Sequence, residues 1–133
     1  MYSPYLIPRT IHFEENGSVT VFEEGTVPFP VRRAFWVSAS HGQSRGSHAH
    51  RECWQVLFAT NGQIQVETSS KSGVGSFSLN SQGEGLVVPP LTWASQTYFG
   101  ENPTLLVVCS HLFSEQDYIR DFNEFVKVLE AIH

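Results

Sequence analysis

The chain has 133 residues, 41% apolar and 16% charged, enough for one domain (1–133) and too few for two separate cores. Eight Lys and Arg stand against 13 Asp and Glu, a net charge of -5 with no basic run, so the clustered cations of a nucleic-acid binder are missing. No apolar stretch approaches the roughly 18–20 residues of a membrane span. The start, MYSPYLIPRT, lacks the basic flank and apolar core of a signal peptide, and Cys53 and Cys109 form no disulfide framework. The expectation is a reduced, cytoplasmic protein with neither nucleic acid nor membrane as partner.

Short runs rich in Val, Phe, Thr and Trp predict strands at Thr10–Phe13, Ser18–Glu23, Val31–Ser38, His48–Ala59, Gln63–Thr68, Ser76–Leu79, Gly85–Val88, Trp93–Phe99 and Thr104–Ser110. Asn16-Gly17 and Asn61-Gly62 predict tight turns, because both residue types tolerate positive φ. The small polar stretch Ser69–Gly75 reads as a connection, and Pro89-Pro90 marks a strand end. Ser114 and Asp117 have the spacing of a capping box. Beyond them Tyr118, Phe122, Phe125, Val126, Leu129 and Ile132 recur at helical spacing, predicting an amphipathic tail over about 115–132, in one or two pieces. Many short strands and one late helix give an all-β sandwich or small barrel with a C-terminal α-helix.

Chemistry concentrates in Arg45-Gly46-Ser47-His48-Ala49-His50-Arg51-Glu52. Two residues apart on a strand, His48 and His50 share one face, with Ala49 opposite. Paired imidazoles serve metal ligation or proton transfer; a satisfied core histidine beside a rim histidine is the plainer alternative. The spacing Gly-x-His-x-His resembles the first motif of the cupin superfamily. Metal-binding cupins add a Glu four or five positions later and a further His downstream. Trp54 or Gln55, and Ala94, occupy those places here. Two of four ligands are thus replaced by poor or impossible metal donors, and the expectation is no metal and no cofactor. Acid–base work next to a carbonyl then fits best, since it needs reach, orientation and a pKa near neutrality. Cys53 is expected on the strand face opposite the histidines as an inert thiol, and Cys109 in the core. His41, His111 and His133 have no partner at useful spacing.

Arg32-Arg33-Ala34-Phe35-Trp36-Val37, Arg45-Gly46-Ser47-His48-Ala49-His50, Gln55, Gly85-Leu86-Val87-Val88-Pro89-Pro90 with Trp93, and Asp117-Tyr118-Ile119-Arg120-Asp121-Phe122-Asn123-Glu124-Phe125 together resemble the sugar-nucleotide 3,4-ketoisomerases, WxcM-like cupins. The resemblance runs from about His12 to Phe125. It implies a jelly-roll cupin that isomerises a nucleotide-linked 4-keto-6-deoxyhexose, such as dTDP-4-keto-6-deoxyglucose, to its 3-keto form without metal, for surface polysaccharides such as O-antigen. It also implies a homodimer, with an N-terminal strand offered to the neighbour. His48 is then the principal acid and base and His50 its partner. Arg33, Phe35, Arg45, Gln55, Trp93 and Gln96 become candidates for substrate binding. Three positions depart from the family: Asn16 stands where an Arg is usual, Phe35 replaces a Tyr, and Ala94 replaces a His. The competing readings are a sugar-nucleotide binder without turnover, or a sugar epimerase. The epimerase would need a second titratable group across the pocket, for which Tyr98 is the candidate.

Overall fold

Two long strands that bend and change partners along their length organise the molecule, a computed structural model describing residues 2–132. The strands are β1 Tyr5–Ile7, β2 Thr10–Glu14, β3 Gly17–Val21, β4 Arg33–Ser38, β5 Ser44–His50, β6 Gln55–Ser70, β7 Gly73–Asn80, β8 Gly85–Val88, β9 Trp93–Cys109 and β10 Tyr118–Ile119, followed by helix α1, Phe122–Glu130. All pairings are antiparallel. β6 and β9 pair along most of their length, β6 handing over from β8 to β7 and β9 from β5 to β4. The main sheet runs β1-β8-β6-β9-β5-β10 and curls into a cupin jelly roll, while β2 and β3 form a separate two-stranded sheet. His133 lies outside the described residues.

Bulges make the bends possible. Residues 61–62 are not the expected tight turn: β6 runs through them, with register shifts between Ala59 and Asn61 and between Asn61 and Gln63. The positive φ was rightly read, for Gly62 has φ 72°, and a Cβ there would lie 2.7 Å from the Phe99 carbonyl oxygen. The irregularity flips the alternation. Leu57 and Ala59 point into the core before it, and Ile64 and Val66 after it. On β9 the predicted break between Phe99 and Thr104 is likewise a bend, with Tyr98 inward on one side and Leu105 and Val107 inward on the other.

Other boundaries move for identifiable reasons. The predicted strand His48–Ala59 is two strands, because the chain turns back over Arg51–Trp54. The first hairpin turns on Glu15-Asn16, one residue earlier than expected, and β6 and β7 close up to a two-residue turn at Lys71-Ser72. β8 ends at Val88, directly before the two prolines. In the tail, Ser114 and Asp117 bound only a 3₁₀ turn, Glu115–Asp117, with no side-chain cap. The helix starts later, where the Asp121 side chain accepts from the Glu124 N–H, a cap worth about 1 kcal/mol. Tyr118 therefore belongs to β10 rather than to the helical stripe. Phe125, fully buried, seats the helix on Ala49 and Ile119. The helix thus covers the outer face of β5, leaving the inner face to the two histidines.

Candidate active site

A bulge aims the central histidine. On β9, Ala94 and Gln96 point inward, and Arg45 of β5 pairs with Gln96. Strict alternation from Arg45 would turn His48 outward. The register shift between Gly46 and His48 inserts one extra residue, so His48 pairs with Ala94 and faces the interior. Gly46 has φ 93°, a backbone conformation that strains any L side chain and favours glycine, and a Cβ there would also displace Gln96 Oε1, 2.3 Å away. Ser47 is drawn into φ 49°, the local cost of the bulge.

His48 Nδ1 lies 2.8 Å from the Gly46 carbonyl, which can only accept, so the proton sits on Nδ1 and Nε2 carries the free lone pair. Burial holds its pKa below the usual imidazole value, with Arg120 adding to the effect and the Gly46 carbonyl and Glu115 opposing it. It is therefore a neutral base at pH 7.

His50 sits one layer behind. Its ring meets His48 edge-on with centroids 5.0 Å apart, as the His-x-His spacing predicts. Its Nδ1 donates to Asp117 Oδ2 at 2.9 Å, while Nε2 is buried without a partner. The Asp117 oxygens also accept from the backbone N–H groups of Glu52 (2.8 Å) and Cys53 (3.3 Å), which fixes the turn after β5. Burial first, then His48, pushes the His50 pKa down to about 4 against the pull of Asp117. An unfolded imidazole titrates near 6.5. Between those values the unfolded chain binds the extra proton, so this contribution is intact above about pH 6.5 and is lost as pH falls toward 4. The loss is about 3 kcal/mol at the acid end. Urea midpoints measured at pH 7 and 4.5 should separate for the wild type and converge for His50→Gln; equal acid sensitivity in both proteins would refute it.

The cavity in front of His48 holds about 240 Å³. Arg33 and Phe35 come from β4, Arg45 from β5, Gln55 from β6 and Gln96 from β9, all as strand alternation dictates, and Gly46 joins them at the bulge, over an apolar floor of Val37, Leu57, Leu105 and Val107. Two wall residues went unrecognised in the sequence, Tyr118 and Arg120. Both lie in the tail segment, where the helical stripe masked them. The Tyr118 ring lies 5.0 Å from that of His48 and 4.3 Å from that of His50, and its hydroxyl accepts from Arg33 Nη1 at 3.5 Å. Arg120 stacks on Tyr118 at 4.2 Å and pairs with Glu115. Arg33 stacks on Phe35 at 4.5 Å. Among the described residues the Arg45 side chain has no hydrogen-bond partner. Three guanidinium groups around one opening suit an anionic ligand on a chain that is acidic overall.

Three expectations fail here. Trp93 is not on the cavity wall: it sits at an odd, outward position of β9 and packs against Phe122 and Phe125 of the helix. Tyr98 is fully buried in the core, its hydroxyl without a partner, and it is no wall residue either. Cys53 does not face away from the histidines, because the turn after β5 returns it beside His50 and Asp117, the three potential donor atoms lying within 4.8 Å. Its thiol donates to the Trp54 carbonyl at 3.3 Å. That trio makes a poor metal site, since both Asp117 oxygens already accept hydrogen bonds. Among the described residues His48 is the one strong transition-metal donor on the cavity wall, so these residues do not fit a bound metal there.

Residues 6–130 match the family described as FdtA, WxcM-like, C-terminal. The TDP-4-oxo-6-deoxy-alpha-D-glucose-3,4-oxoisomerase of Aneurinibacillus thermoaerophilus is 30% identical over 122 residues, covering 90% of this chain and 88% of that protein. Among solved structures, a histidine-to-asparagine variant of the 3,4-ketoisomerase QdtA from Thermoanaerobacterium thermosaccharolyticum, in complex with TDP-4-keto-6-deoxyglucose, superposes with a TM-score of 0.90 at 26% identity, covering 98% of this chain and 96% of that one. A 3,4-ketoisomerase from Helicobacter canadensis gives 0.89 at 26% identity, covering 98% and 99%. The RmlC epimerase of Mycobacterium tuberculosis, at 17% identity and a TM-score of 0.75 over 88% of this chain and 68% of that one, shares the fold.

Proposed function

The chain belongs to the FdtA, WxcM-like family, and from that premise we propose that it is a TDP-sugar 3,4-ketoisomerase moving the keto group of TDP-4-keto-6-deoxyglucose from C4 to C3. The observation that carries this reading is a neutral histidine on the cavity wall, Nε2 free, behind a mouth of arginines. The C4 ketone acidifies the C3 proton. His48 Nε2 takes it, electrons collapse into a C3–C4 enediol, and the imidazolium, its proton exchanging with solvent water, delivers a proton to C4. Arg33, Arg45 and Arg120 bind the diphosphate and offset charge developing on the sugar oxygens. Gln55 and Gln96 orient the ring through hydrogen bonds.

An epimerase inverts a centre with acid and base on opposite faces of the sugar. Here His48 and Tyr118 sit side by side on the wall, ring centroids 5.0 Å apart, and not across the cavity from one another. That favours keto transfer along one face. Carbon NMR of TDP-4-keto-6-deoxyglucose incubated with the protein should show the ketone signal move to C3. A sugar recovered unchanged, even though bound, would overturn the reading in favour of a binding module.

The protein acts, on this proposal, in the cytoplasm on the way to deoxy- and amino-sugars of surface polysaccharide, and as a homodimer. β1 is already paired with β8 within its own chain. The element left for a neighbour is the β2–β3 hairpin, with exposed Phe13 on one face and exposed Val19 on the other, and with Phe22 beyond it lining an apolar hollow with Trp36 of β4. Sedimentation equilibrium should give twice the chain mass; a monomer at micromolar concentration would refute the dimer.

A further inference from the structure

Moving a ketone from C4 to C3 requires two transfers, and His48 accounts for one. A hydrogen leaves C3 and one arrives at C4. In parallel a proton must reach O4, which begins as the ketone oxygen, and one must leave O3, which begins as a hydroxyl. We infer, resting on the ketoisomerase reading above, that the Tyr118 hydroxyl carries this oxygen half of the reaction. It donates its proton to O4 as the enediol forms and recovers one from O3 as the C3 ketone forms. Nothing is oxidised or reduced overall, and both side chains end in their starting states.

The wall itself narrows the choice. Its polar groups are three guanidinium groups, two amides, His48 and Tyr118. Guanidinium groups hold their protons throughout the working pH range, and an amide does not give up a proton and take it back. Tyr118 carries the one hydroxyl on the cavity wall among the described residues. The other buried hydroxyls, those of Thr68, Ser70, Thr92 and Tyr98, are not among the groups lining the cavity.

Placement supports the role. Tyr118 pairs with His50 across the β10–β5 ladder, and its ring packs on both imidazoles, so the phenol is held beside the base. Arg33 Nη1 donates into the phenol oxygen at 3.5 Å. The phenol's own proton is thereby left to point elsewhere, and the guanidinium stabilises the phenolate that exists between the two transfers. Arg120 over the ring face limits the motion of the side chain.

Tyr118→Phe keeps the ring, its packing and the strand pairing, and removes the hydroxyl alone. Its kcat should fall about 100-fold with KM within a few-fold of the wild type. A variant with wild-type kcat overturns the assignment and leaves His48 carrying both transfers. Wild-type protein assayed alongside separates the two ideas: no conversion by wild type is a failure of the ketoisomerase reading, whereas equal conversion by both proteins is a failure of this one. Should the variant fold poorly, difluorotyrosine placed at 118 provides the second measurement. The alkaline limb of its pH–rate profile should move down with the lower phenol pKa, which altered packing does not mimic, and an unmoved limb overturns the proposal.

Discussion

Replacing His48 with Asn is expected to lower kcat by about 10²–10⁴-fold while leaving TDP-sugar affinity and the thermal midpoint near wild type. Asn keeps a polar group of similar reach at the cavity wall and removes the one neutral base facing the substrate. The side chain is only half-buried, and its sole hydrogen bond is to the Gly46 carbonyl, which an Asn amide can satisfy. Calorimetric binding and turnover on the same preparation separate the two effects. Turnover within a few-fold of wild type would remove His48 from the mechanism.

Asp117→Asn should injure both stability and activity, a different signature from that of His48→Asn. The carboxylate accepts three hydrogen bonds in a nearly dry setting: from His50 Nδ1 and from the Glu52 and Cys53 N–H groups. An amide retains one acceptor oxygen and presents an NH₂ where the other stood, setting donor against donor. Hydrogen bonds to a charged group are worth about 1.5–3 kcal/mol each, so a loss of about 3 kcal/mol in unfolding free energy is expected. With its orienting partner gone, His50 can flip or change tautomer, and His48 and Tyr118, which pack on it, lose their support. A fall in kcat of about tenfold or more should accompany the lower stability. Denaturant unfolding and steady-state kinetics check both arms. A variant as stable as wild type would show that the carboxylate does not brace this turn.

How far these features were legible in the sequence depends on the range of the interaction involved. The shared face of His48 and His50 was readable because period-two alternation spans only three residues. That His48 faces inward was not, since it depends on a bulge registered against β9, some forty-five positions along the chain. Asn61-Gly62 carries identical local chemistry whether it closes a hairpin or bulges a long strand. The partner strand decides, and here β9 runs past it. Trp93 looked like a ligand platform because aromatic residues serve cores and sites alike, and the helix that covers it lies thirty residues away. Asp117 illustrates the same ambiguity more sharply. Its spacing from Ser114 imitates a helix cap, yet its partners are His50, Glu52 and Cys53, more than sixty residues earlier. The strand-rich pattern and the prolines ending β8 were legible because each follows from short-range alternation or backbone chemistry, whereas the arginine and glutamine positions at the cavity came from the family resemblance alone.

The account rests most heavily on His48 moving a proton along C3 and C4 of the sugar. Running the reaction in D₂O and locating the label by NMR tests this most directly. The account predicts a 3-keto product carrying solvent deuterium at C4 and none at C5, with no exchange and no product in His48→Asn. Deuterium at C5, or exchange that persists undiminished in His48→Asn, would contradict it.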